Sequence, residues 1–220
     1  MRTSMAALMI VALAAAGCSS PPAESPALEA PVVLPGRPGE TGDVVRPDQV
    51  DPNRTKETPN SADVDYMTMM IPHHQQAAVM TQLVAEKAAD EQVRAIAERI
   101  AVSQDAEVKL MGTWLTKYGK PVPGNDPSGH GEHGGHSAAE HASMPGMATA
   151  EQLNQLRAAT GAEFEKMFLK LMIAHHQGAL TMAEAQLSGG VETKAQELAQ
   201  EVITGQSAEI ERMRALSAKY

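Results

Sequence analysis

The chain has 220 residues, with 18 Lys and Arg against 27 Asp and Glu for a net charge of −9. That length holds one or two domains, and an acidic chain without a Lys/Arg cluster is excluded as a nucleic-acid binder. Aromatic residues make up only 3%, too few for a sheet fold of this size, whereas the abundant Ala, Leu, Met, Glu and Gln favour helix and predict an all-α protein.

The single cysteine, Cys18, excludes a disulfide scaffold and a cysteine-based zinc site. The 14 methionines have two readings: flexible filler of helical cores, or soft thioether ligands for Cu(I). Residues 1–17 carry Arg2 and then the apolar run Met5–Ala16, too short to span a bilayer and read as a signal peptide. Ala15-Ala16-Gly17-Cys18 resembles a bacterial lipobox, whose cysteine is lipidated. The expectation is a membrane-tethered lipoprotein outside the cytoplasm, or a secreted protein if Cys18 stays unmodified. Residues 18–60 hold nine of the 14 prolines and almost no apolar periodicity, which predicts a disordered, flexible tether.

Beyond the tether, Met70-Ile71-Pro72-His73-His74-Gln75-Gln76-Ala77 recurs 102 residues later as Met172-Ile173-Ala174-His175-His176-Gln177-Gly178-Ala179. With no gap, Met80 matches Met182, Gln104 matches Gln206, Glu107 matches Glu209 and Met111 matches Met213. Segment 62–118 shares 14 identities in 57 positions with 164–220. The chain is internally duplicated, and each copy should fold alike.

Each copy reads as a helical hairpin, 61–119 and 149–220, joined by a Gly/Pro/His-rich linker over 120–148; residues 61–220 form one bundle domain. In the first copy Ser61 or Asp63 caps a helix running to about Ala88. A turn near Ala89–Glu91 leads into a second helix that ends before Gly119. A short helix is expected over Ala150–Ala159. In the second copy Gly189-Gly190 makes the turn, and the last helix starts near Glu192. Pro72 is discordant, since proline inside a helix costs roughly 3 kcal/mol. Its counterpart Ala174 sits in an uninterrupted helical pattern, which favours a kinked helix over one that begins at Pro72. Two hairpins with apolar stripes bury them by packing as a four-helix bundle.

Residues equidistant from a hairpin turn lie side by side. About a turn centred near residue 89, Gln104 and Glu107 come level with Met70 and His73; about 190–191, Gln206 and Glu209 come level with Met172 and His175. Met70 precedes His73 by three residues and His74 by four, so one thioether lies beside both imidazoles. Adjacent histidines diverge by about 100° around a helix, so one of each pair points more centrally. Thioether plus imidazole suits copper, while so few carboxylates suit Mg²⁺ or Ca²⁺ badly. Gln104, Glu107, Gln206 and Glu209 are candidate orienting partners or ligands; Met80, Met111, Met182 and Met213 are further candidate thioethers. The competing reading is a set of hydrogen-bonded core histidines with methionine packing, and the matched duplication weighs against it. In the linker, His130, His133, His136 and His141, followed by Met144 and Met147, form either a weak, poorly selective chelator of Cu²⁺, Zn²⁺ or Ni²⁺, or a low-complexity spacer.

Met-Ile-x-His-His-Gln-x-Ala followed by Gln-x-x-Glu-x-x-x-Met, twice, resembles the bacterial domain of unknown function family 305. So does Gly161-Ala162-Glu163-Phe164 leading to Phe168-Leu169 and Leu171-Met172-Ile173. The resemblance covers about Ser61 to Tyr220. It implies a ferritin-like four-helix bundle and, from CopM-type members, an extracytoplasmic copper binder linked to copper resistance. Carried over residue by residue, it implicates Met70, His73, His74, Met172, His175 and His176 as metal ligands. The chain lacks the Glu-x-x-His pattern of di-iron ferritins, which argues against iron oxidation.

The expected function is therefore non-catalytic: sequestering or passing on Cu(I), with Cu(II) possible and zinc or silver bound less specifically. The implied partners are metal ions, a membrane held through the lipid anchor, and another copper carrier. Two alternatives remain. One is a ferritin-like metal-dependent oxidoreductase using His73, His175, Glu107 and Glu209. The other is a helical interaction module with pH-responsive core histidines.

Overall fold

A computed structural model describes residues 31–34, 41–49, 58–124 and 143–220. Cys18 and the linker histidines His130, His133, His136 and His141 lie outside the described residues. The chain divides into two units, 1–55 and 56–220. In the first, β1 (Val32–Leu34) pairs antiparallel with β2 (Asp43–Val45), Val33 opposite Val44, and a 3-10 turn follows over Pro47–Gln49. No secondary structure was expected there; the β-branched Val32, Val33, Val44 and Val45 favour the extended backbone this ribbon needs.

Among its described residues the second unit has helices alone: α1 (Ser61–Lys87), α2 (Glu91–Lys117), the short α3 (Ala150–Ala158), α4 (Gly161–Gly189) and α5 (Thr193–Ser217). Helix α1 packs on α2, α4 packs on α5, and α1 and α4 join the two hairpins. The cap of α1 is Asn60, not Ser61 or Asp63: Asn60 accepts from the Asp63 amide while Asp63 accepts from the Asn60 amide. That reciprocal pair satisfies two of the orphan donors at the helix start. Helix α1 continues through Pro72 without a break.

The duplication shows as reciprocal end contacts. Asp63, in the first turn of α1, accepts from the Val191 and Glu192 amides at the start of α5. Its repeat counterpart Glu165, just beyond the first turn of α4, accepts from the Ala89 and Asp90 amides at the start of α2. Tyr118, just past α2, donates to Glu192 at 2.8 Å; its counterpart Tyr220 donates to Asp90, the counterpart of Glu192, at 3.0 Å. Each hairpin therefore caps the other.

The buried apolar side chains form two clusters rather than one. One holds Val84, Val93, Ile96, Phe164, Phe168 and Met213; the other holds Tyr66, Met67, Trp114, Leu115, Ala183 and Leu198. Along every long helix the boundary between them falls at buried polar residues: His73 and His74 on α1, Gln104 on α2, His175 and His176 on α4, and Gln206 and Glu209 on α5. A polar layer thus crosses the middle of the bundle, between the two apolar clusters. Unpaired buried polar groups cost stability, so this layer calls for a chemical reason.

Candidate metal centre

All four imidazoles of the layer are buried, none more than 1% exposed. His73 and His175 form the inner pair, one from each hairpin, with ring centroids 3.8 Å apart and planes 34° from parallel. His74 and His176 turn away toward the second helix of their own hairpin. His74 Nε2 lies 2.6 Å from Glu107 Oε2, and His176 Nε2 lies 2.8 Å from Glu209 Oε2. Both contacts span 33 residues, as the duplication requires. The hairpin arithmetic placed Glu107 and Glu209 level with His73 and His175; the structure pairs them with the neighbouring His74 and His176. Height along a hairpin sets which turn a residue meets, and the 100° step between adjacent histidines then decides which of the two faces the partner helix.

These contacts assign protons. A carbonyl oxygen only accepts, so His73 Nε2, 3.0 Å from the Pro145 carbonyl, carries its hydrogen and leaves the Nδ1 lone pair free. A carboxylate also accepts, so Glu107 and Glu209 hold a hydrogen on Nε2 of His74 and His176. Among the described residues, the Nδ1 atoms of His73, His74 and His176 have no hydrogen-bond partner, and neither ring nitrogen of His175 has one. The His73 main-chain carbonyl lies near enough to His175 to favour its protonated form slightly. Burial, reinforced by the other imidazoles, nevertheless holds the His175 pKa well below its ordinary value. Burial likewise pushes His73 down to about 3, with His74 adding to the effect. Both inner imidazoles are neutral at pH 7, as ligation requires.

Five unpartnered ring nitrogens in one buried layer, with carboxylates or a carbonyl on the opposite nitrogen of three rings, match the way proteins prepare imidazole for a metal. Among the described residues no three His, Cys, Asp or Glu side chains converge as a ready cage. A centre here needs ligands of another kind. Fully buried Met70 and Met172 sit three residues before the inner histidines, each at the edge of its apolar cluster.

The other candidates distribute differently. Met80 and Met213 lie inside one apolar cluster and Met111 inside the other, while Met182 is only partly buried. Gln104 and Gln206 are buried, and both amide atoms of each lack a partner. Gln75 and Gln177 are exposed. Gln75 lines a surface groove of about 660 Å³ along α1 and α2 that contains none of the imidazoles. The Tyr66 hydroxyl was missed: it is buried and unpartnered, and burial raises its pKa, with Glu107 adding to the shift.

The seating of residues 144–148 on the bundle was missed too, since Met144 and Met147 were read as part of the linker. Gln76 donates to the Ala148 carbonyl at 2.9 Å and accepts from the Ala148 amide at 2.7 Å. Pro145 and Gly146 press against Gly178, where an added Cβ would fall 1.9 Å from the Pro145 oxygen. The sequence signal was the mismatch of Gln76 with Gly178, one of two differences inside the repeated eight-residue motif.

Solved structures resemble the chain over the bundle. A DUF305 fragment from Deinococcus radiodurans is 27% identical with a TM-score of 0.65, covering 74% of this chain and 100% of that one. A candidate secreted DUF305 protein from Streptomyces coelicolor is 31% identical with a TM-score of 0.62, covering 72% and 93%. CopM in its Cu(I)-bound form is 28% identical with a TM-score of 0.56, covering 71% and 96%; CopM has also been solved with Cu(II) and with silver. No protein of curated function matches. The signature of the domain of unknown function DUF305 matches residues 63–217, and the chain belongs to that family.

Proposed function

We propose that this protein binds copper outside the cytoplasm and sequesters it or passes it on. The observation that carries the reading is the mid-bundle layer, in which four buried imidazoles leave five ring nitrogens unpartnered. A core that only needed packing would fill that layer with apolar side chains. Similarity to CopM, solved with Cu(I), Cu(II) and silver, supports copper as the cargo. Similarity to a candidate secreted relative supports the location. The ligands we assign are His73 and His175 with Met70 and Met172, and then His74 and His176. Glu107 and Glu209 hold the tautomers of the outer two. Thioethers bind Cu(I) without the thiols that an oxidising compartment would convert to disulfides. We read the protein as a binder without turnover, tethered through Cys18, with the linker histidines as a second, weaker site.

The test is anaerobic competition for Cu(I) against a chromophoric chelator. The full chain is compared with a variant carrying His73, His74, His175 and His176 as Ala, and with one carrying His130, His133, His136 and His141 as Asn. The reading expects tight binding to survive the linker substitutions and to vanish with the bundle substitutions. Equal, weak binding in the wild type and the bundle variant would return the layer to a structural role.

A further inference from the structure

The duplication makes His73 and His175 equivalent, yet only His73 has a hydrogen-bond partner. The partner is the carbonyl of Pro145, in the strap Met144–Ala148 that crosses α1 and α4 where they carry the inner pair. A single peptide cannot serve two equivalent imidazoles identically, so the strap breaks the symmetry of the site.

The strap is held by features on both helices. On α1, Gln76 makes two hydrogen bonds to Ala148. On α4, Gly178 leaves room for Pro145, and an added Cβ would also fall 2.7 Å from the Gly146 nitrogen. A Cβ on Gly146 would fall 2.3 Å from the Ala174 oxygen, and its φ of 77° suits glycine. Met144 is 4% exposed and Ala148 is 7% exposed, so the segment is seated rather than draped. The two helix positions are repeat counterparts that differ in the way the strap requires: a long amide on α1 to clamp it, and no side chain on α4 to admit it.

We propose that the Met144–Ala148 strap, seated by Gln76 and Gly178, is a positioning element of the inner pair. Through the Pro145 carbonyl it holds His73 as the Nε2–H tautomer and so makes Nδ1 its ligand atom. His175 makes no hydrogen bond to the strap and is the partner that adapts when metal arrives. The role for metal rests on the copper reading; the tautomer assignment stands apart from it and is measured without metal.

The experiment is ¹⁵N NMR of histidine-labelled, metal-free full-length protein at pH 7, with His73 assigned by the loss of its signals in His73→Gln. Wild type is expected to show a pyrrole-type Nε2 and a pyridine-type Nδ1 on His73. Gly178→Ala, which must displace Pro145, is expected to shift His73 toward mixed tautomers while the helical circular dichroism is retained. Gln76→Ala tests the same clamp from α1 and decides the matter if Gly178→Ala fails to fold. Gly205→Ala, an open helical site with nothing near its added Cβ, should leave His73 unchanged. In Cu(I) competition, both strap variants are expected to lose about 10- to 100-fold in affinity, the usual effect of removing a partner that orients a ligand. A wild-type His73 protonated on Nδ1, or a tautomer unmoved in both strap variants, would overturn the proposal. If wild type shows the expected tautomer and binds no Cu(I), the copper reading fails while the strap assignment holds.

Discussion

Acid is the simplest probe of the inner imidazoles. His73 and His175 are held neutral by burial, His73 with its pKa near 3, whereas an unfolded histidine titrates near 6.5. Between those values the unfolded chain binds more protons than the folded one, so folding stability rises with pH and is fully present above about 6.5. Urea unfolding of the metal-free protein should show stability falling below pH 6.5. The slope is on the order of 1.4 kcal/mol per pH unit for each inner imidazole. A His73→Gln, His175→Gln double variant should lose most of that slope; an unchanged slope would show that these residues are not buried neutral. The carboxylate partners give a second residue-scale expectation. Glu107→Ala and Glu209→Ala should each weaken Cu(I) binding about 10- to 100-fold in competition titrations. The two effects should be similar because the two contacts are repeat copies. Met70, His73, Gln104 and Glu107 are all visible in the duplicated motif. That Glu107 meets His74 rather than His73 was not, because sequence spacing gives height along a hairpin and leaves the direction around the helix open.

Helix ends carry much of the architecture. Buried Asp63 accepts from the Asn60, Val191 and Glu192 amides and from Gln186 Nε2 at 2.6 Å, so it joins the start of α1 to the end of α4 and the start of α5. Asp63→Ala should therefore cost about 3 kcal/mol or more in urea unfolding, because hydrogen bonds to charged groups contribute roughly 1.5–3 kcal/mol each and the stranded donors stay buried. Glu165→Ala removes two amide contacts and should cost less. A loss below about 1 kcal/mol for Asp63→Ala would mean that the caps are solvated. Pro72 is expected to act the other way. With a continuous helix around it and Ala174 as its counterpart, Pro72→Ala should raise stability by up to about 3 kcal/mol in the same assay. Helix lengths and turns were legible in the sequence to within a residue or two, because apolar periodicity, Gly189-Gly190 and Gly119 mark them. The cross-hairpin caps were not. Asp63 and Glu165 align in the repeat, but acidic residues near a helix start ordinarily face water and only soften the helix dipole. The strap was equally hidden, since Met144-Pro145-Gly146-Met147 carries only the local signals of a turn.

Across the whole bundle, two apolar clusters flank one polar layer, and the hairpins meet at that layer through His73 and His175. Any ligand bound there contacts both halves and stabilises the folded chain over the unfolded one. Silver or Cu(I) at 100 times its dissociation constant should add about 2.7 kcal/mol and raise the melting temperature, whereas the four-histidine bundle variant should show no shift. The duplication made this convergence legible before any coordinates, since two copies of a hairpin put their most faithfully repeated residues at the same height. Whether the two copies would meet as one layer was not legible: that depends on how α1 packs against α4, and no local pattern encodes that packing. The most direct test of the central claim is X-ray absorption at the copper edge of the Cu(I)-loaded chain with His130, His133, His136 and His141 replaced by Asn. A mixed shell of sulfur and imidazole nitrogen that loses its sulfur in Met70→Leu, Met172→Leu is the predicted result. A shell of nitrogen and oxygen alone, unchanged by those substitutions, would contradict it.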